Sequence, residues 1–155
     1  MYSKINTIIF GLFCVFSNAQ LLPANRYYNP DVMGALIWDN TAGNFQVDNG
    51  SGTWNSTNTT WLQTATSANQ AWIPGGNAIF GGNLGNGAAG TITVSGTQDV
   101  KSMFFNATPS GNFLIQSGNL NLLGGIITTN QDATISSTLQ GGGKKKKKGL
   151  SNLIL

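Results

Sequence analysis

From Gly90 onward the chain is a succession of short apolar–polar alternations, each stopped by Gly, Asn or Ser. Thr91-Ile92-Thr93-Val94 ends at Ser95-Gly96, and Val100-Lys101-Ser102-Met103-Phe104-Phe105 ends at Asn106. Phe113-Leu114-Ile115-Gln116 ends at Ser117-Gly118, and Leu120-Asn121-Leu122-Leu123 at Gly124-Gly125. Ile126-Ile127-Thr128-Thr129 and Ala133–Leu139 complete the series. A two-residue period places successive side chains on opposite faces, so each run reads as a strand. Strand centres recur about every 10 residues, a cadence that excludes a helical protein.

Two architectures share that cadence. A β-sandwich or barrel packs such strands around one core. A β-solenoid stacks them in parallel, aliphatic side chains inward and Thr, Asn, Ser and Gln outward. Ile92/Val94 with Thr93, and Leu120/Leu122 with Asn121, fit the second pattern, as do the matching turns Ser110-Gly111-Asn112 and Ser117-Gly118-Asn119. The expectation is therefore an all-β, right-handed parallel β-helix, with a β-sandwich as the alternative.

Ahead of this lies a Trp-rich segment: Leu36-Ile37-Trp38-Asp39, Gly52-Thr53-Trp54, Thr59-Thr60-Trp61, Ala71-Trp72-Ile73-Pro74 and Ala78-Ile79-Phe80-Gly81-Gly82. Its short pieces between Asn, Gly and Ser turns read as further strands, forming an N-terminal cap to the solenoid. Gly81–Gly90 reads as a glycine-rich loop. The Trp spacing, followed by Gly90-Thr91-Ile92-Thr93-Val94-Ser95-Gly96 and the runs Val100–Phe105 and Phe113–Ile127, resembles the opening of a bacterial autotransporter-type passenger. The likeness spans roughly residues 36–143 and rests on a diffuse pattern without a catalytic signature. It implies a secreted right-handed β-helix with passenger-associated repeats, adhesin-like and non-catalytic. Members of that family continue through many more repeats, often into an outer-membrane β-barrel.

The termini are of another character. Lys4, the apolar stretch Ile5–Phe16 and the small residues Ser17-Asn18-Ala19 have the layout of a secretory signal peptide over 1–19, with the mature chain starting at Gln20. Cys14, the single cysteine, lies inside that leader, and bulky Phe13 before it disfavours a lipoprotein site. Residues 20–35, interrupted by Pro23 and Pro30, read as an irregular start. Five of the eight basic residues form the run Lys144–Lys148, after which the chain reads Gly149–Leu155. The run is either a solvated basic tail that loosely attracts anionic surfaces or the trace of slippage in an A-rich coding tract. In the second case 144–155 is a Lys-rich tail out of frame, and the passenger is truncated.

Charge and chemistry narrow the function. Charged residues make up 8% of the chain, against about 25% in an average globular protein. Between Gln20 and Gly143 only Arg26 and Lys101 face five Asp, so the body lacks the basic face that nucleic acid requires. With no His, no Glu and no cysteine in the mature chain, the groups available for proton transfer or attack are Asp, Lys101, Arg26, Tyr27, Tyr28 and hydroxyls. Asp31, Asp39, Asp48, Asp99 and Asp132 are widely spaced, match no calcium-binding repeat and form no paired motif. No enzyme, metal or cofactor is expected, and no stable membrane span. Trp54, Trp61 and Trp72 are the candidates for stacking on glycans, although Trp in a chain poor in other large side chains more often fills a core. The reading is an exported surface segment meeting glycans or other cell-surface proteins, with a carbohydrate-binding sandwich as the alternative.

Overall fold

A computed structural model describes residues 35–44, 46–82, 87–141, 146–149 (146–148 as backbone) and 151–155. The leader over 1–19, nearly all of the irregular start over 20–35, and Lys144 and Lys145 lie outside the described residues. Ala35 does not belong to an irregular start, since it opens the first strand.

Thirteen strands and no helix are present among the described residues. The Trp-rich segment supplies β1 (Ala35–Trp38), β2 (Gly50–Trp54), β3 (Trp61–Gln63), β4 (Ala68–Gln70) and β5 (Gly76–Phe80). The alternating region supplies β6 (Ala89–Val94), β7 (Thr97–Phe105), β8 (Phe113–Gln116), β9 (Asn119–Thr129), β10 (Ala133–Ile135) and β11 (Thr138–Gln140). Two short strands follow, β12 (Lys146–Lys148) and β13 (Leu153–Ile154).

These strands form two sheets, and this corrects the expected right-handed parallel β-helix. The eight-stranded sheet runs β11-β9-β7-β5-β1-β3-β4, with β12 also on β9. It is mixed: β1 pairs antiparallel with β3, and β3 antiparallel with β4, through a turn in which the Ser67 amide donates to the Gln63 carbonyl at 2.9 Å. The second sheet, β13-β10-β8-β6-β2, is parallel throughout. The β-sandwich alternative fails on the same point, because sandwiches are built from antiparallel pairs. Strand cadence reports where strands lie and is silent on which neighbour each one pairs with. From β5 to β11 the chain alternates between the sheets.

One core fills the space between them. Leu36, Trp38, Phe80, Val100, Met103, Phe105, Leu120 and Leu122 from the mixed sheet meet Trp54, Ile92, Val94, Phe113, Ile115 and Ile135 from the parallel one. The Trp-rich segment is thus no separate cap, since its four rings belong to this cluster. Phe80 and Phe105, partners in the β5–β7 ladder, stack at 4.9 Å with their planes 13° apart. β1 is buried on both faces because Ile37, pointing away from this core, packs with Val47, Leu62 and Ile79 in a smaller cluster.

Two further boundaries differ from the sequence reading. Gly124-Gly125, expected to be a turn, lies inside the 11-residue strand β9. The register passes from Val100↔Leu122 to Ser102↔Ile126, so Lys101 alone stands opposite Leu123-Gly124-Gly125 in a bulge. Gly124 is required there, because a Cβ would collide with the Lys101 carbonyl. Conversely, Ala133–Leu139 is not one strand: β10 joins the parallel sheet and β11 the mixed one.

Candidate functional site

The three candidate glycan platforms lie in the core. Trp54 and Trp61 have 0% exposure and Trp72 has 3%. Trp54 packs edge-to-face on Trp61 and on Trp72, each at 4.8 Å, and Trp61 meets Trp72 at 4.7 Å. Trp38 joins from the other side, 5.3 Å from Trp61. The indole N–H of Trp38 donates to the Gly50 carbonyl at 3.0 Å, and that of Trp72 to the Asp99 carbonyl at 3.2 Å. Those of Trp54 and Trp61 are buried without a conventional acceptor. A sugar needs an open aromatic face, and none of these rings presents one.

Each aspartate carboxylate among the described residues accepts a hydrogen bond from backbone or from an Asn side chain. Asp39, 1% exposed, follows β1. Its Oδ1 accepts from the amides of Thr41 and Asp48, both at 3.2 Å, and its Oδ2 from the Asn69 side chain at 2.9 Å. It therefore ties the loop after β1 both to itself and to β4. Asp48 bonds Asn44 within the same loop. Asp99 on β7 accepts from Asn121 on β9 at 2.8 Å. Asp132 accepts from the Asn152 amide at 2.7 Å, fastening the approach to β13. Among the described residues no group of three or more His, Cys, Asp or Glu gathers to hold a metal ion.

Asp39→Ala leaves the Thr41 and Asp48 amides and the Asn69 side chain without their acceptor at a partly buried site. It is expected to destabilise the fold by about 2 kcal/mol. Asp39→Asn, which keeps an oxygen for the amides but opposes the Asn69 donor, should cost less. Urea midpoints followed by circular dichroism test the order; equal stability of all three chains would show the loop is not held this way.

What the fold does build is a set of polar side-chain pairs that bridge successive chain segments in both sheets. Gln116 Nε2 donates to Thr93 Oγ1 at 3.4 Å, Asn119 Nδ2 to Thr97 Oγ1 at 3.3 Å, and Asn121 Nδ2 to Asp99. Asn130 Nδ2 donates to Asn106 Oδ1 at 3.0 Å, and Gln131 Nε2 to Thr108 Oγ1 at 3.0 Å. Parallel register sets the first three pairs opposite one another, Thr93 and Gln116 in the β6–β8 ladder and the other two in the β7–β9 ladder, while the last two pairs join the segments that follow β7 and β9. The Thr/Asn/Gln alternation in the sequence signalled them, but as polar outer residues rather than as bonded pairs. The result is a polar, nearly uncharged surface whose side chains are held in place by their neighbours. Among the described residues, no helix is long and apolar enough to cross a membrane. No known protein family, curated protein or solved structure matches the chain.

Proposed function

We propose that this chain is an exported, non-catalytic structural segment of a cell-surface protein, adhesin-like in action and similar to an autotransporter passenger in the wording of its motifs. It acts by presentation: a stiff body holds a polar face toward glycans or proteins of another surface. The observation that carries the reading is the set of hydrogen-bonded polar side-chain pairs between neighbouring segments in both sheets. Those groups are fixed before any partner arrives, so little side-chain freedom is lost on contact. The carboxylates that an enzyme would use are engaged in turns and in those pairs.

Two measurements test it. Expressed with its own leader in a secreting bacterium, the chain should leave the cytoplasm and begin at Gln20 by mass spectrometry; an unprocessed cytoplasmic product would remove the premise. Beads coated with the secreted chain should adhere to glycan- or cell-coated surfaces. Gln116→Lys with Asn121→Lys, which breaks one polar pair in each sheet and spares the core, should weaken adhesion by about tenfold. Polysaccharide cleavage abolished by Asp99→Asn would replace this reading with an enzyme.

A further inference from the structure

Ile73, Leu123 and Ile126 are large apolar side chains that remain 45%, 55% and 40% exposed in a fold that buries most others. They gather at one corner of the mixed sheet. Ile73 opens the turn before β5, closed by the Gly76 amide on its carbonyl at 3.0 Å. Leu123 Cδ1 lies 3.5 Å from where a Cβ on Gly75 of that turn would sit. Leu123 is the first residue of the β9 bulge that stands opposite Lys101, and Ile126 follows where the ladder resumes. Lys101, the only cation whose side chain is described, is exposed at this corner.

The lysine run is brought to the same place by backbone pairing. β12 adds to β9 in parallel, with Lys146 opposite Ile126, Lys147 opposite Ile127 and Lys148 opposite Thr128. Backbone register thus places three lysines of the run along the stretch of β9 that begins at Ile126, in a chain with little other positive charge. The nearest described carboxylate on β7, Asp99, is engaged by Asn121.

We propose that this corner is a docking surface for an anionic phospholipid bilayer, on which the protein lies without crossing it. Positive charge beside exposed aliphatic side chains suits that partner on both counts. Lysines are drawn to the headgroup potential, while Ile73, Leu123 and Ile126 gain a boundary in which to be buried. A soluble polyanion would satisfy the lysines and leave the aliphatic groups in water. The proposal is separate from adhesion through the polar pairs, and its test does not depend on it.

The test is sedimentation of the secreted chain with large vesicles of phosphatidylcholine, alone or mixed two to one with phosphatidylglycerol. Binding to the mixed vesicles should exceed binding to the neutral ones by at least about tenfold and fall as salt rises. Leu123→Ser with Ile126→Ser should weaken it by about tenfold, as should replacing Lys146, Lys147 and Lys148 by Ser. Because Leu123 and Ile126 are exposed, circular dichroism melts should show their variant folded, and the same melt is run on the lysine variant; Ile73→Ser, in a turn, is the substitute if one is not folded. Three results would overturn the proposal: equal binding to both vesicle types, no binding to either, or apolar variants that bind mixed vesicles as wild type does while heparin competes fully.

Discussion

Trp54→Ala should remove about 4 kcal/mol of stability, a large fraction of the roughly 5–15 kcal/mol that holds a domain of this size together. Trp54 has no exposed surface and touches Trp61, Trp72 and Phe80, with ring centroids at 4.8, 4.8 and 5.8 Å. Truncation loses the transfer of an indole from water, the edge-to-face contacts with Trp61 and Trp72 and the tilted contact with Phe80. Nothing is positioned to fill the space, because Trp61 and Phe80 are held by β3 and β5 and Trp72 by its bond to the Asp99 carbonyl. Trp54→Phe keeps a ring and should cost less than half as much. Urea unfolding followed by far-ultraviolet circular dichroism distinguishes the outcomes without relying on the fluorophore being removed. If instead Trp54→Ala melts like the wild type and only glycan binding is lost, the ring is a surface platform and the packing described here is wrong.

That contrast shows where the sequence was informative. The strands at Thr91–Val94, Val100–Phe105 and Phe113–Gln116 were legible because four or more residues alternate cleanly before a Gly, Asn or Ser stop. The strands around Trp61 and Asn69 hold three residues each, too few for a period, so their antiparallel pairing had no signature. The mixed sheet, and with it the correction of the expected β-helix, follows from those short strands. Gly124-Gly125 was misread because a bulge and a turn ask the same thing of the sequence, a residue without a side chain where backbones crowd. For the site, the role of Asp39 in satisfying turn amides was readable from residue type. Whether Trp54, Trp61 and Trp72 face inward was not, since irregular spacing carries no inside and outside. The apolar corner beside β12 was invisible too, because it depends on pairing the lysine run with one stretch of β9.

The twin turns Ser110-Gly111-Asn112 and Ser117-Gly118-Asn119 give the second large effect, because identical tripeptides should respond differently to the same change. Both glycines adopt positive φ, 74° at Gly111 and 48° at Gly118, so alanine at either is strained by about 1–2 kcal/mol. Beyond that the surroundings decide. A Cβ on Gly111 would meet nothing nearer than the Ala89 carbonyl oxygen at 3.5 Å, an ordinary contact. A Cβ on Gly118 would lie 2.6 Å from the Val94 carbonyl oxygen, 2.7 Å from that of Gly96 and 2.9 Å from Val94 Cγ1. Those neighbours cannot easily withdraw. The Gly96 carbonyl accepts from the Asn119 amide at 2.8 Å, and the Gly118 carbonyl accepts from the Thr138 amide at 3.1 Å. Making room would loosen β9 from the turn after β6 and β11 from β9. Gly111→Ala should therefore cost about 1 kcal/mol and Gly118→Ala roughly 3 kcal/mol or more, with Gly118→Val failing to fold. Thermal melts of the two alanine variants side by side decide the matter. Equal losses would mean that φ alone sets the cost and that strand stacking at Gly118 is looser than described; a larger loss at Gly111 would contradict the packing outright.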